Sequence, residues 1–461
     1  MRAILNDFDP YKQVKMRMEA LKLTGHPVDK IELIIIGGTW SFLPRHYQQQ
    51  FILRCFQACN QFNFISNSKL QITNYKQIQN SKFQNLKQLL LTEQKKNEKA
   101  KHRIVGITIE TRPDFINENE IKFLRNLGVT RVELGVQSIY DNVLKINRRG
   151  HTVKETIKAT KLLKNAGFKI CYHLMPNLPG SNLKKDKKMF KEIFNNPEFQ
   201  PDLLKIYPCA VLKEAPIYNL WKNKKYKPYT EKQLINLLKE VKKEIPYYCR
   251  IQRLIRDIPS YSVITGPAKI SNMRQILAKE LKKEEAFCKC IRCREVKEGY
   301  DPKEKLYLFQ QNYNASDGKE IFLSYESKDR KRLYSLLRLR IPKAKEAKEE
   351  KESKTRSLIA LKNSDDTGYS PIFPVLKDVA IIRELHTYGQ LQSLGHPTSQ
   401  YSPQHKGLGK KLIKKAEKIA KKNGFSKIVV ISGIGVKNYY RKLGYKLKDT
   451  YMVKSIKPSL D

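Results

Sequence analysis

Over the first 250 residues, short β-branched runs alternate with longer amphipathic stretches. The first amphipathic stretch opens at Asn6-Asp7-Phe8-Asp9-Pro10, carries Val14, Met18 and Leu21 on one side, and stops at Gly25 before Pro27, as a capped helix does. Ile31 to Ile36 is the first β-branched run, closed by Gly37-Gly38. Similar runs follow from Ile104 to Ile109, Arg131 to Gly135, Phe168 to Leu174 and Asp202 to Tyr207. Runs of this length and type predict buried parallel strands. Helical patterns such as Val153 to Ala166 lie between them, so the unit is βα and the sheet is parallel. Each run carries its Glu, Gln, Arg or His at or just past its C-terminal end: Glu110-Thr111-Arg112-Pro113-Asp114, Gln137-Ser138, His173 before Pro176. Barrel enzymes build their sites there. No Gly-x-Gly-x-x-Gly follows an early strand, which disfavours an open dinucleotide fold.

From residue 317 the pattern changes. Glu320 to Tyr325 and Leu336 to Ile341 read as antiparallel strands, and Val379 to Leu385 as another. A helix is predicted from Gly409 to Lys422, with Leu412, Ile413, Ala416, Ile419 and Ala420 on one face and Asn423-Gly424 as its stop. Lys427 to Ile431 is a further strand. The predicted organisation is a barrel over 1–286, a metal-binding linker over 287–316 and an α+β domain over 317–461. Residues 60–90, rich in Asn, Gln, Lys and Ser, read as a surface insertion, and Lys343 to Lys354 as a solvated excursion.

Charge adds a partner. The 461 residues hold 90 Lys and Arg against 45 Asp and Glu, a formal +45, and a polyanion such as nucleic acid is the default counterpart. No apolar run follows a basic start and no stretch of 18 apolar residues exists. The expectation is a cytoplasmic protein with no membrane partner. Eight Cys in a chain this long do not form a secreted disulfide scaffold.

Three motifs suggest chemistry. Gln404-His405-Lys406-Gly407-Leu408-Gly409 precedes the long helix and resembles the Gln/Arg-x-x-Gly-x-Gly/Ala of GNAT-type acetyltransferases. Its glycines let backbone N–H groups approach a pyrophosphate at a helix N-terminus, here that of coenzyme A. Tyr439 and Tyr440 are candidates to lie by the thioester; core aromatics are the alternative. Cys288, Cys290 and Cys293 form C-x-C-x2-C, a spacing that suits tetrahedral zinc with a fourth ligand from elsewhere. Cys55 and Cys59, one helical turn apart, read as core. Arg253 and Arg256, in an alternating segment from Arg250 to Asp257 read as a strand, and Arg148 and Arg149, before Gly150-His151, are candidates for phosphate contacts.

These stretches, taken in order, resemble the catalytic subunit of the Elongator complex and its single-chain archaeal and bacterial relatives. The resemblance is carried by Gly25-His26-Pro27-Val28-Asp29-Lys30, Gly37-Gly38-Thr39, Glu110 to Asp114, Glu133-Leu134-Gly135-Val136-Gln137-Ser138, His173 to Ser181, Cys288 to Arg294, Arg383-Glu384-Leu385-His386 and Ser432 to Tyr445. It implies an α/β chain: a partial (β/α) radical-SAM-type barrel, then an α+β GNAT acetyltransferase domain. It implies an acyltransferase that makes 5-carboxymethyluridine at the tRNA wobble position from acetyl-CoA and S-adenosylmethionine, with a [4Fe–4S] cluster. Gly37, Gly38 and Thr39 would hold the methionine end of S-adenosylmethionine. Gln404, His405, Lys406, Gly407, Leu408 and Gly409 would hold coenzyme A, and the cysteine trio a structural zinc between the domains. In the family a cluster-binding cysteine trio precedes the segment that Met1-Arg2-Ala3 matches. The expectation is therefore a start placed too late, in preference to a true truncation, with no radical chemistry from the chain as written. The competing readings are a protein or small-molecule acetyltransferase and a non-catalytic tRNA-binding remnant. A homodimer or Elongator-like partner subunits remain open.

Overall fold

The computed structural model describes residues 2–62, 83–256, 258–267, 270, 272–296, 303–342, 371–389 and 407–456. Strands β1 (Lys30–Ile34), β2 (Arg103–Thr111), β3 (Arg131–Gln137), β4 (Lys169–Leu174) and β5 (Leu203–Ile206) lie side by side in chain order. A two-residue strand β6 (Val211–Leu212) leaves the sheet, and β7 (Arg250–Arg253) then joins beside β5. All five pairings are parallel. Strand order that follows chain order curls the sheet into an arc, with β1 and β7 as its edges. β6 pairs instead with β8 (Val263–Thr265).

The crossovers are helical: α1 (Pro10–Leu23), α2 (Arg45–Gln61), α3 (Phe83–Asn97), α4 (Glu118–Asn126), α5 (Asp141–Ile146), α6 (Val153–Asn165), α7 (Leu183–Asn195), α8 (Ile217–Lys222) and α9 (Glu231–Glu244). Their starts are written locally. Asp9 caps α1 by accepting from the Tyr11 N–H, and Thr152 with Glu155 and Thr230 with Gln233 form capping boxes. The expectation of a surface insertion over 60–90 does not hold for its described C-terminal part. Residues 63–82 lie outside the described residues, but α3 buries Leu86 and Leu90 in the main core, because its apolar residues recur at helical spacing.

After α10 (Met273–Lys283) and α11 (Ile291–Arg294) a second sheet begins. It contains β9 (Tyr307–Asn314), β10 (Gly318–Glu326), β11 (Leu333–Pro342), β12 (Ala380–Thr387), β13 (Lys427–Val430), β14 (Lys446–Lys448) and β15 (Tyr451–Ser455), in the order β14-β15-β13-β12-β11-β10-β9. Only β12 and β13 run parallel. The sheet thus starts at Tyr307, ahead of the expected boundary at 317, because β9 pairs along β10 over eight positions. The excursion at Lys343 to Lys354 lies outside the described residues.

Strand alternation gives this sheet two buried faces. Ile321, Leu323, Leu337, Leu339, Ile382 and Val430 pack with Leu412, Ile413 and Ala416 of helix α12 (Leu408–Lys422). On the other face Phe322, Leu336, Ile381, Val429 and Ile431 join the core of the barrel. The joint is made at the N-terminal ends of the barrel strands. Arg383 donates to Asp202 before β5 and to the Phe168 carbonyl before β4, Arg338 to the Tyr248 carbonyl before β7, and Tyr451 to the Ala166 carbonyl. The second sheet therefore caps the N-terminal end of the arc and leaves its C-terminal ends to the site. Among the described residues no helix is long and apolar enough to cross a membrane.

Candidate functional site

Three loops leave the C-terminal ends of the first strands. Gly37 and Gly38, both at positive φ, and Thr39 follow β1. Glu110, Thr111 and Arg112 end β2, with Arg112 bonded to Asp114. Gln137 ends β3 at φ 64°, a left-handed backbone rare for a non-glycine residue. Its side chain is buried, and neither its Oε1 nor Thr111 Oγ1 has a hydrogen-bond partner among the described residues. Strain and unpaired acceptors together mark a place prepared for a polar ligand.

The four arginines expected at RNA lie at this same end. Arg148 is exposed after α5, and Arg149 is half-buried, with Nη2 3.5 Å from the Gly135 carbonyl. Arg253 and Arg256 are exposed at and beyond the end of β7. The strand expected from Arg250 to Asp257 stops at Arg253, and Asp257 is outside the described residues. Arg250 does not face phosphate; it is turned inward, 2.6 Å from Glu295.

Between the strands, the inner face of the arc is charged. Glu133 accepts from His173 at 2.8 Å and from Lys205, His173 also stands 3.4 Å from Glu110, and Arg131 binds Glu32 at 2.8 Å. Burial alone would raise the Glu133 pKa; the His173 hydrogen bond and the Lys205 charge outweigh it and hold it at about 2. Burial would lower His173, but bonds to Cys171, Glu110 and Glu133 push it up to about 11. Glu133, Cys171 and His173 also fall within metal-ligand range of one another. The Lys205 ammonium already occupies the carboxylate, so the group reads as a fixed ion-pair network. These residues were quoted in the sequence motifs but not assigned as site residues. Their signal was there: polar residues at every second position of apolar runs.

The second constellation lies on the other sheet. Gly407 begins α12 at φ 78°, with no atom of the described residues within 4 Å of where a Cβ would stand. A side chain at such a φ is strained, and its absence leaves the helix N-terminus open. Leu408 and Gly409 form the first turn, while Gln404, His405 and Lys406 lie outside the described residues. Tyr439, on helix α13 (Lys437–Arg441), brings its hydroxyl to 3.0 Å from where a Gly409 Cβ would be, beside Leu385 of β12. Tyr440 sits in the core, edge-on to Tyr439 and Tyr445. Burial raises the pKa of both Tyr439 and Tyr440.

Cys288, Cys290 and Cys293 come together with their sulfurs within 4.8 Å of one another. Cys288 and Cys290 are buried and Cys293 is exposed. Lys242 Nζ lies 3.4 Å and Arg274 3.8 Å from Cys293 Sγ, and these cations favour thiolates. The trio is at the N-terminal end of β7, where the Ile291 N–H bonds the Cys249 carbonyl. The remaining cysteines, Cys55 and Cys59 among them, are buried.

Comparison with known proteins joins the two halves. The Radical SAM superfamily matches residues 82–193, the Radical SAM C-terminal domain 201–283 and the Acetyltransferase (GNAT) family 402–445. A tRNA uridine(34) acetyltransferase of Methanocaldococcus infernus is 43% identical over 99% of this chain and 78% of its own length. The chain belongs to the Elongator complex protein 3 family. Human Elongator complex protein 3 is 37% identical over 99% of this chain and 76% of its own length. The solved structure of an N-terminally shortened archaeal Elp3 from Methanocaldococcus infernus superposes with a TM-score of 0.80 at 42% identity, covering 98% of this chain and 96% of that one. The family combines a radical SAM barrel with a GNAT acetyltransferase domain and implies S-adenosylmethionine, acetyl-CoA and a [4Fe–4S] cluster. The charged inner face, the strained Gln137 and the open α12 N-terminus lie within the matched regions or beside them.

Proposed function

We propose that this chain modifies the wobble uridine of tRNA, building 5-carboxymethyluridine from acetyl-CoA and S-adenosylmethionine. The observation that carries the reading is the pairing, across one shared core, of a polar C-terminal barrel face with an open helix N-terminus on a GNAT sheet. In this reading Gly407, Leu408 and Gly409, with Gln404, His405 and Lys406, bind the coenzyme A pyrophosphate. Tyr439 stands by the pantetheine or thioester, and Tyr440 supports it from the core. Gly37, Gly38 and Thr39 hold the methionine end of S-adenosylmethionine. Arg148, Arg149, Arg253 and Arg256 take tRNA phosphates on the same face, and the reaction belongs in the cytoplasm. Elongator-like partner subunits or a second copy are compatible with it.

The cysteine trio is read as a structural zinc site. Three thiolates beside two cations suit a tetrahedral ion, and the N-terminal end of β7 is the wrong end of the sheet for S-adenosylmethionine. The reading divides the chain into a barrel over 1–286, a metal-binding linker and an α+β unit whose sheet begins at β9 (Tyr307–Asn314) in place of residue 317. At the C-terminal face the described residues present no group of three thiols. The radical-generating cluster is accordingly assigned to none of the described residues.

The test has two parts. Acetyl-CoA should bind and be hydrolysed when tRNA is added, and Gly407→Glu should abolish binding, since a carboxylate would repel the pyrophosphate. Mass spectrometry of tRNA nucleosides after reaction of cluster-loaded protein with acetyl-CoA and S-adenosylmethionine should find carboxymethyluridine. Lysine acetylation without tRNA, and no modified uridine, would favour the protein acetyltransferase instead; tRNA binding with no use of acetyl-CoA would favour the remnant.

A further inference from the structure

Helix α13 is five residues long, and among the described residues no side chain caps its N-terminus. A single turn of helix does not stand unaided, yet this one carries Tyr439 to the first turn of α12. What fixes it comes from the barrel. Glu98 follows α3 and precedes β2. Its carboxylate accepts from Lys437 Nζ at 3.1 Å and from Arg441 Nη1 at 2.6 Å, and its carbonyl accepts from Asn438 Nδ2 at 2.9 Å. Arg441 also donates to Asn438 Oδ1, which joins the contacts into one clasp. At about 100° per residue Lys437, Asn438 and Arg441 share one side of the turn, and Tyr439 leaves from the other.

Glu98 is itself held in place. Its N–H bonds the Gln94 carbonyl. The buried Asn97 beside it donates to the His102 carbonyl at 3.0 Å and accepts from the Ile104 N–H at 2.8 Å, and His102 Nδ1 stands 2.7 Å from the Val28 carbonyl. The corner between α3 and β2 is thus fastened to the sheet. The chain entering α13 is seated on the same strand: a Cβ on Gly433 would lie 2.0 Å from the Val105 carbonyl oxygen, and one on Gly435 3.0 Å from that of Ile104. Glu98 is 9% exposed and Lys437 8%, so Lys437 has left solvent for this carboxylate. Without it, Lys437 would face Arg441 as a like charge.

We infer that Glu98 is a positioning residue for the thioester site: through it the barrel sets the rotation and height of α13, and so the place of the Tyr439 hydroxyl. The inference rests on the acetyl-CoA reading above and adds how the barrel governs the acetyltransferase site. Among the described residues Glu98 bonds to α13 and not to α12, so it acts on the thioester through Tyr439. The Gly407 turn, where the pyrophosphate is read to bind, belongs to α12 and does not depend on the clasp. Loss of the clasp therefore separates two properties. Affinity for coenzyme A, set at α12, is retained. Turnover, which needs the Tyr439 hydroxyl in place, falls.

The experiment uses the full chain, with tRNA-dependent hydrolysis of acetyl-CoA as the rate and calorimetry with free coenzyme A as the affinity. Glu98→Ala should lower kcat roughly ten-fold and leave both KM for acetyl-CoA and Kd for coenzyme A within about two-fold, as a misplaced group does. Glu98→Gln keeps the shape and one acceptor and should recover part of the rate. Arg441→Gln, at the exposed end of the clasp, should lose about three-fold. The deciding comparison is Tyr439→Phe with and without Glu98→Ala. A residue that acts through the Tyr439 hydroxyl has nothing left to lose once that hydroxyl is gone, so the double variant should turn over at the rate of Tyr439→Phe alone. If thermal melting shows Glu98→Ala unfolded, Arg441→Gln in the same two backgrounds decides. Losses that multiply in the double variant, or full kcat in the folded single variant, would overturn the inference. Calorimetry showing that wild type binds no acetyl-CoA would overturn the acetyl-CoA reading itself, which is a different outcome.

Discussion

Gly433 has no side chain because the barrel backbone is in the way. A Cβ there would overlap the Val105 carbonyl, and one on Gly435 would lie 2.5 Å from the Arg103 Cβ. Gly433→Ala should destabilise the chain by about 3 kcal/mol, since backbone cannot yield as a side chain does; the midpoint of urea unfolding checks it. His173 and Glu133 make a pH prediction. Raised to about 11, His173 contributes stability that is complete below its unfolded pKa and is lost as pH climbs toward 11. Lowered to about 2, Glu133 contributes stability present above its unfolded pKa and lost as pH falls toward 2. The pair should give a plateau between about pH 4.5 and 6.5 and an alkaline decline of up to about 1.4 kcal/mol per pH unit. Urea melts of wild type and His173→Gln across pH 5 to 10 should show a shallower alkaline decline in the variant; parallel curves would refute the assignment.

At the scale of elements, the short helix α11 depends on what packs around it. Four residues make about one turn, too few for a helix to stand alone. The trio ties α11 to Lys242 of α9 and Arg274 of α10. Elemental analysis should find about one zinc per wild-type chain. Cys290→Ser should lose most of it, and proteolysis should then cut first near α11. Equal metal in both proteins would mean the trio binds none. The C-x-C-x2-C spacing is legible in the sequence because all three thiols lie within six residues. The cations beside them were not, since they come from separate helices 19 and 51 residues before Cys293. β9 was missed for a related reason: Tyr307 to Asn314 has few aliphatic residues, and its pairing with β10 makes it a strand.

The whole molecule is joined by buried charge. Asp202 accepts from Arg383 at 2.5 Å, Arg383 reaches Glu320 at 2.9 Å, and Glu320 pairs with Arg340. Burial would raise the Asp202 pKa, but Arg383, Lys164 and Arg338 hold it below the usual carboxylate range. Asp202→Ala would leave Arg383 and its neighbours short of an anion in the core, at a cost of about 3–5 kcal/mol. Because Asp202 belongs to the barrel and Arg383 to the second sheet, wild type should melt in one calorimetric transition. The variant should melt lower, or as two transitions. An unchanged melting temperature would show that this joint carries no stability. Over the surface, the excess of Lys and Arg should make tRNA affinity fall steeply with salt. Arg253→Ala with Arg256→Ala should weaken binding across many tRNAs; a flat salt response would reject a basic binding face.

The sequence by itself determined the parallel βα units, the GNAT helix with its glycine turn, the cysteine trio and the family. Each is written in local spacing: alternation, caps, or thiols a few residues apart. Only the tertiary structure decided what faces what. Arg131 and Glu133 look like ordinary polar interruptions of a strand until β2, β4 and β5 surround them. Tyr439 and Tyr440 are neighbours in sequence, yet one reaches the first turn of α12 and the other fills the core. Asp202 and Arg383 are 181 residues apart, and no local pattern pairs them. Their partnership exists because the second sheet buries both at the N-terminal end of the barrel, where a lone charge is too costly to leave unpaired.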